Sequence, residues 1–262
     1  MLKAVIFDLD DTLLWDHKSV SEAFKATCKK VTEKFDIDPE QLEKNVRKHA
    51  EEIYPTLDSY PFTSNIGIGT FEGMWGDFED EGDDFKLLRE CVPAYRKQAW
   101  LKGLQDLDID DEALAEELAL AFPEERKKQV FLYEETIEVL EALKGEYKLL
   151  MLTNGSPDLQ HTKLSLSPEL APYFDHIVIS GAFGQGKPSV DIFNYALSLL
   201  EVGTDETVMI GDNPLTDILG ASRVGMDSIW INHHNRELTE VTPTFEVKRL
   251  KEIMPIIKQL SE

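Results

Sequence analysis

The sequence predicts an α/β protein with a doubly wound parallel sheet and a helical insertion after the first strand. From Glu134 onward, short apolar runs alternate with amphipathic helical segments, a rhythm that is typical of βαβ units. A separate apolar run at residues 4–7 opens the chain and has the composition of a strand buried on both faces. Because a strand is not stable alone, this run must join the later strands in one sheet.

The individual elements follow from hydrophobic periodicity along the chain. In the insertion, helices are predicted at 21–34, 39–53, 85–104 and 111–122. The stretch 54–84 is predicted to be irregular, because glycines and prolines alternate there with aromatic residues. After it, helices are predicted at 135–143, 189–200 and 218–224, and strands at 148–153, 176–180, 207–211 and 228–232. The predicted domains are a discontinuous α/β core at 1–14 and 131–262 and a helical domain at 15–130, placed over the carboxyl edge of the sheet.

Composition excludes several classes of partner. Fifty acidic residues against 27 basic ones give a net charge of −23, which repels nucleic acid and anionic lipid. No apolar run reaches membrane-spanning length, and the N-terminus lacks the pattern of a secretory signal. The two cysteines, Cys28 and Cys91, form neither a disulfide framework nor a metal-ligand pattern. We therefore expect a cytoplasmic protein, either a monomer or a homodimer, whose anionic substrates would need local positive groups.

Polar side chains collect where the predicted strands end. They are Asp8, Asp10, Thr153, Asn154, Asp212 and Asp217, with Lys187 at the start of a helix. Open α/β sheets bind ligands at the carboxyl ends of their strands, so these groups should converge. Asp8 and Asp10 share one face of an extended chain, and two neighbouring carboxylates are usually relieved by a divalent cation with oxygen ligands.

Each of these patterns is weak alone, but their order and placement resemble one known family. The matching motifs are Asp8-Leu9-Asp10-Asp11-Thr12, Thr153-Asn154-Gly155, Lys187-Pro188 and Gly211-Asp212-Asn213-Pro214-Leu215-Thr216-Asp217. They resemble the haloacid dehalogenase-like (HAD) superfamily, in its subfamily with a helical cap inserted after the first strand. The resemblance spans the whole chain and implies a Rossmann-like core with strand order 3-2-1-4-5.

The resemblance also implies a magnesium-dependent phosphatase reaction. Asp8 would be the nucleophile that forms an aspartyl-phosphate, and Asp10 the general acid and base. Mg²⁺ would be held by Asp8, by the backbone carbonyl of Asp10 and by Asp212, with Asp217 as an outer ligand or orienting group. The phosphate oxygens would be held by Thr153, the Asn154 amide and Lys187.

The expected substrate is a small phosphate monoester. Asp10 supports this expectation, since dehalogenases lack that second carboxylate and phosphonate-cleaving relatives have a small residue there. A phosphorylated amino acid such as phosphoserine is the specific expectation. The alternatives are a nucleoside-monophosphate or sugar-phosphate phosphatase, a phosphomutase, a dehalogenase and a non-catalytic regulatory protein.

Substrate selection is expected to lie in the insertion. The stretch 60–75, with Thr63, Asn65 and Ile68, is either a substrate-selecting lid or an aromatic core of the helical domain. Arg47, Arg96 and Lys97 are each either a surface charge or a contact for a substrate carboxylate.

Overall fold

The computed structural model describes residues 1–32, 34–237 and 241–262. These residues form two compact units. The core unit consists of Met1–Trp15 and Phe131–Glu262, and the helical unit of Asp16–Val130.

The core unit contains one parallel six-stranded sheet. Its strands are β1 (Ala4–Phe7), β2 (Lys148–Thr153), β3 (His176–Ile179), β4 (Thr207–Gly211), β5 (Asp227–Ile231) and β6 (Phe245–Val247). The strand order is β3-β2-β1-β4-β5-β6, which confirms the predicted order of the first five strands. All four residues of β1 are fully buried, and β1 pairs with both β2 and β4. β6 was not predicted, because it has only three residues and only one of them is buried.

The helices are numbered along the chain. Those of the helical unit are α1 (Asp16–Thr32), α2 (Pro39–Ile53), α3 (Tyr60–Ile66), α4 (Thr70–Gly73), α5 (Asp83–Gln105) and α6 (Glu112–Lys128). Those of the core unit are α7 (Thr136–Leu143), α8 (Pro157–Leu166), α9 (Ser180–Phe183), α10 (Val190–Leu200), α11 (Leu219–Val224) and α12 (Ile253–Ser261). Of the predicted helix at 21–34, Glu33 lies outside the described residues, and the helix begins five residues earlier than predicted, at Asp16. Among the described residues, none of these helices combines the length and the apolar character required to cross a membrane.

Helix α8 was not predicted, and its composition explains why. The Ser156 hydroxyl accepts a hydrogen bond from the Leu159 backbone N–H at 3.0 Å, and Pro157 occupies the first turn, so the helix has a standard start. Its buried face, however, includes Gln160 and Lys163 beside leucines. Polar residues on a buried face weaken the hydrophobic periodicity on which the sequence prediction depends.

About half of the stretch 54–84 is helical, so the prediction of an irregular segment was wrong for that half and holds for residues 74–82. It contains a 3₁₀ turn at Tyr54–Thr56 followed by α3 and α4. Gly67 ends α3 with φ of 79°, a left-handed conformation that glycine adopts without strain. The Tyr54 hydroxyl donates to the Ile68 carbonyl at 3.1 Å, and the Tyr95 hydroxyl donates to the Thr70 carbonyl at 2.9 Å. Helices this short carry too few residues to show a periodicity.

These contacts bear on two sets of alternatives for the insertion. Thr63 and Ile68 are buried, at 0% and 3% exposure, which favours the aromatic-core alternative for these two residues, whereas Asn65 is exposed. The Arg47 guanidinium lies 4.3 Å from the centre of the Phe24 ring and bonds Glu43. Arg96 donates to the backbone carbonyls of Gly73 and Gly76, at 2.9 and 2.5 Å. Both arginines therefore stabilise the packing of the helical unit and are not surface charges.

The helical unit depends on close approach of α2 and α5. A Cβ atom at Gly103 of α5 would lie 2.4 Å from Cγ2 of Val46 on α2 and 3.0 Å from its backbone nitrogen. Because the nearest groups include backbone, the contact cannot be relieved by rotating a side chain. The absence of a side chain at Gly103 thus sets the separation of the two helices.

We expect Gly103→Ala to destabilise the protein by about 1–3 kcal/mol through overpacking, opposed by about 1 kcal/mol of improved helix propensity. Thermal unfolding followed by circular dichroism measures the net loss. Gly69→Ala is the control, since its nearest contact would be 3.7 Å away. A raised Tm for Gly103→Ala would contradict the packing role.

Candidate active site

The predicted site residues lie together at the carboxyl ends of β1, β2 and β4. Asp8 follows β1, and its backbone N–H donates to the Ile210 carbonyl at 2.9 Å, which extends the strand pairing to the nucleophile candidate. Thr153 is the last residue of β2, and Asp212 directly follows β4. Beyond Asp8 the chain turns tightly, with Asp11 at φ of 53° and the Leu13 N–H bonded to the Leu9 carbonyl at 2.9 Å.

Lys187 lies at the centre of this group. Its ammonium is 2.7 Å from Asp8 Oδ1 and 2.7 Å from Asp217 Oδ1, and its side chain is only 2% exposed. Burial alone would lower the pKa of Lys187, but the carboxylates of Asp217 and Asp8 outweigh it and raise that pKa. Lys187 therefore carries a permanent positive charge between two acids.

Three carboxylates form an acidic cluster. Oxygen atoms of Asp8, Asp212 and Asp217 lie within 4.8 Å of one another, and within the described part of the chain no other group of histidine, cysteine or acidic side chains is so arranged. Burial is the main cause that raises the pKa of Asp8 to about 6, with Lys187 opposing it. Burial, followed by the charges of Asp217 and Asp8, raises the pKa of Asp212 to about 8. The single ammonium of Lys187 therefore does not offset the negative charge of the three carboxyl groups.

This cluster fits a hard divalent cation. All three side chains offer carboxylate oxygens, which are the ligands that Mg²⁺ prefers. A Cβ atom at Gly211 would lie 2.2 Å from Asp217 Oδ2, so only glycine allows Asp217 to approach the end of β4 this closely. Asp217 Oδ2 also accepts from the Asn213 N–H at 3.1 Å, while its Oδ1 contacts Lys187.

The end of β2 is tied to the Lys187 loop by a reciprocal pair of hydrogen bonds. The Asn154 side chain donates to the Lys187 carbonyl at 3.1 Å and accepts from the Lys187 N–H at 2.8 Å. A side chain at Gly186 would place its Cβ 2.9 Å from Asn154 Oδ1. The Asn154 side chain is therefore engaged in holding the loop, and any phosphate contact from this residue falls to its backbone N–H.

Asp10 is placed by residues that the sequence prediction missed. Asp10 Oδ2 accepts from Lys163 Nζ at 2.8 Å and from Gln160 Nε2 at 3.0 Å. Gln160 Nε2 also lies 2.6 Å from Thr153 Oγ1. The spacing of Gln160 and Lys163 places them on the same face of α8. A helical projection of the segment after Thr153 would have shown this polar pair.

Arg236 is a second missed residue. It donates to the Asp212 carbonyl at 2.5 Å and to Asp212 Oδ2 at 3.1 Å. Trp230 of β5 donates its indole N–H to the same carbonyl at 2.8 Å. No sequence pattern points to Arg236, because it lies in the loop after β5, away from the motifs.

Known proteins resemble this chain over lengths that range from about half of the chain to nearly all of it. The family model described as haloacid dehalogenase-like hydrolase matches residues 2–225. A phosphoserine phosphatase from Thermus thermophilus is 32% identical over 96% of this chain and 98% of its own length. The pyrimidine 5'-nucleotidase YjjG from Escherichia coli is 36% identical over 46% of this chain and 54% of its own length.

A solved structure shares the fold. The HAD-hydrolase YfnB from Bacillus subtilis, bound to magnesium, superposes with a TM-score of 0.69, covers 98% of each chain and is 18% identical. The match of the family model over residues 2–225, together with the strand order and the converging motifs, confirms the resemblance inferred from the sequence. The chain belongs to the haloacid dehalogenase-like hydrolases.

Proposed function

We propose that this hydrolase is a magnesium-dependent phosphatase that cleaves small phosphate monoesters through a covalent aspartyl-phosphate on Asp8. The observation that carries the proposal is the position of Asp8, which touches the buried ammonium of Lys187 and belongs to the acidic cluster. One carboxylate thus lies next to a group that attracts phosphate and to a set of oxygens suited to a cation. The phosphatase relatives support the same reaction class.

Asp8 has the properties of a nucleophile at neutral pH. Burial raises its pKa to about 6, and contact with the Lys187 ammonium favours the ionised form that can attack phosphorus. In the first step a carboxylate oxygen of Asp8 forms a bond to phosphorus while the bond to the leaving alcohol oxygen breaks. In the second step water attacks phosphorus and regenerates the carboxylate. Splitting the displacement in this way replaces one difficult step by two easier ones.

The phosphoryl oxygens would be held by groups from three segments. These are the Thr153 hydroxyl, the Asn154 backbone N–H and the Lys187 ammonium. The Asn154 side chain supports this arrangement, because its bonds to the Lys187 backbone fix the two segments relative to each other. A loose phosphoryl-transfer transition state depends mainly on such positioning and on charge stabilisation.

Asp10 would carry the proton transfers. It donates a proton to the departing alkoxide in the first step and removes a proton from the attacking water in the second. A halide needs no proton when it leaves, so this carboxyl favours an ester substrate over a haloacid.

Mg²⁺ would be held by Asp8, the backbone carbonyl of Asp10 and Asp212. Both oxygens of Asp217 make contacts within the chain, to Lys187 and to the Asn213 N–H, which supports an outer, orienting role for Asp217. When bound, the ion supplies positive charge that offsets the negative charge of the phosphoryl group and of the cluster.

The specific substrate we propose is phosphoserine or a closely similar phosphorylated small molecule. The phosphoserine phosphatase relative matches almost the whole chain, whereas the nucleotidase relative matches less than half of it. The helical unit would be the cap domain of this hydrolase. A nucleoside monophosphate is the second candidate, supported by the nucleotidase relative.

The nucleophile assignment predicts that Asp8→Asn loses at least about 10³-fold in phosphate release, equal to about 4 kcal/mol of barrier. The amide is nearly isosteric with the carboxylate but cannot attack phosphorus. Activity toward p-nitrophenyl phosphate and far-ultraviolet circular dichroism are measured together. Asp191→Asn, an exposed change of the same charge at the start of α10, is the control. A folded Asp8→Asn variant within about tenfold of wild type would exclude this nucleophile, since that is only ~1.4 kcal/mol.

The metal assignment predicts a stabilisation that needs no turnover. A ligand that binds only the folded state at about 100 times its Kd adds about 2.7 kcal/mol, so MgCl₂ should raise the Tm of wild type above its value in EDTA. Asp212→Asn should lose most of this shift, because the cluster then has one carboxylate fewer. Asp191→Asn should keep it. An equal Mg²⁺-dependent shift in Asp212→Asn and wild type would show that the ion binds elsewhere.

The substrate assignment predicts that phosphoserine has the highest kcat/KM in a panel of phosphate esters. Among the alkyl esters, whose leaving groups are similarly basic, the ratio ranks how well each leaving group is bound in the transition state, and p-nitrophenyl phosphate serves only as the generic reference ester. The panel contains phosphoserine, phosphothreonine, uridine monophosphate, glucose 6-phosphate and p-nitrophenyl phosphate, each assayed with Mg²⁺. A higher kcat/KM for uridine monophosphate would select the nucleotidase alternative while leaving the phosphatase chemistry intact.

A further inference from the structure

A lysine and a glutamine of α8 contact the carboxyl group to which the proposed function assigns proton transfer. Lys163 Nζ lies 2.8 Å from Asp10 Oδ2, and its side chain is 2% exposed, against 25% for Asp10. Gln160 is fully buried and donates to the same oxygen at 3.0 Å. One oxygen of Asp10 therefore accepts two hydrogen bonds from a single helix face.

Burial of Lys163 is costly unless the charge has a partner. An ammonium taken out of water loses hydration free energy, which only an opposite charge and hydrogen bonds can offset. Asp10 supplies that opposite charge when it is ionised, which is its state after it has protonated the leaving alkoxide. If α8 needed only to fill space beneath β2, an apolar side chain at position 163 would serve without this cost. The presence of lysine there points to a role for the ion pair itself.

Gln160 connects this ion pair to the end of β2. Its amide nitrogen lies 2.6 Å from Thr153 Oγ1 and 3.1 Å from the Asn154 carbonyl, in addition to Asp10. Gly155 adjoins this contact, since a Cβ at its φ of +140° would lie 3.1 Å from Gln160 Cδ. The Gln160 amide thus contacts both Asp10 and the Thr153–Asn154 segment that is proposed to hold the phosphate.

We propose that Lys163 and Gln160 are positioning residues that hold Asp10 by its Oδ2 atom in the orientation needed for proton transfer to the leaving group. This proposal rests on the proposed function, because it assumes that Asp10 is the general acid. Two donors on one oxygen restrict rotation of the carboxyl group, so that Oδ1 is presented for proton transfer. Orientation matters here because a general acid must reach the leaving oxygen within hydrogen-bond distance.

The role is distinguishable from a structural one by the choice of leaving group. An alkyl phosphate expels a strongly basic alkoxide and depends on protonation, whereas p-nitrophenyl phosphate expels a weakly basic phenolate and depends on it little. Glycerol 3-phosphate is the suitable alkyl ester, because its glycerol part carries no charged group besides the oxygen that leaves. Loss of a direct attraction between Lys163 and a charged leaving group then plays no part in the comparison.

The test compares kcat/KM for these two esters in Asp10→Asn, Lys163→Met, the double variant and wild type. We expect the kcat/KM of Asp10→Asn to fall on both esters, and to fall about 10²-fold or more further on glycerol 3-phosphate than on p-nitrophenyl phosphate. Lys163→Met should likewise lose more kcat/KM on glycerol 3-phosphate than on p-nitrophenyl phosphate, with a difference of about tenfold or more. When Asp10→Asn is already present, adding Lys163→Met should lower kcat/KM on glycerol 3-phosphate by less than about threefold. The effects of two residues that act through the same group are not additive.

Two further variants complete the test. Lys144→Met is the charge-matched control, since Lys144 is exposed, bonds the Pro172 carbonyl and precedes the amino end of β2, whereas the motifs follow the carboxyl ends of the strands. Lys163→Arg keeps a cationic donor and should recover part of the loss on glycerol 3-phosphate. Circular dichroism and Tm establish that each variant is folded, and Lys163→Gln replaces Lys163→Met if the latter does not fold.

The outcomes separate the two proposals. Equal losses on both esters in Lys163→Met, or losses that multiply in the double variant, would overturn the positioning role while leaving Asp10 as the general acid. If Asp10→Asn itself shows no dependence on leaving group, the acid role in the proposed function fails, and the positioning role fails with it.

Discussion

The buried ammonium of Lys187 is the constraint on which the arrangement of the site depends. It lies between Asp8 and Asp217, which are far apart in the sequence, and its backbone is bonded to Asn154. A buried charge without partners would be strongly unfavourable, so these contacts must form together. The folding of the sheet and the assembly of the site are in this sense one event, since β1, β2 and β4 each bring a partner of Lys187.

One positive charge does not balance the acidic cluster. The pKa values of about 6 for Asp8 and about 8 for Asp212 express the remaining repulsion and the burial of these groups. A chain with a net charge of −23 must bind an anionic phosphate through local groups, because its overall field is repulsive. Lys187 and, in the proposed function, a bound Mg²⁺ provide that local attraction. The same cation would also stabilise the cluster that holds it.

The two lysines of the core unit have different relations to their acids. Lys187 bridges two carboxylates that are themselves almost fully buried, whereas Lys163 is bonded to Asp10, which is a quarter exposed. A nucleophile gains from a fixed charge at its side, while a group that moves protons must remain accessible to substrate and water. The proposed division of work between Asp8 and Asp10 therefore agrees with the difference in their surroundings.

The sequence by itself determined the type of fold and the positions of the motif residues, while the order of the first five strands followed from the resemblance to the HAD superfamily. It could do so because strands buried on both faces are continuous apolar runs, and because polar motifs at strand ends must meet at one edge of a parallel sheet. The tertiary structure alone decided that α3 and α4 are helical, that Arg47 and Arg96 pack inside the helical unit, and that Lys163 and Gln160 contact Asp10. These features depend on contacts between residues distant in sequence. A buried polar side chain looks, in sequence, the same as an exposed one, and only its partner across the fold shows the difference.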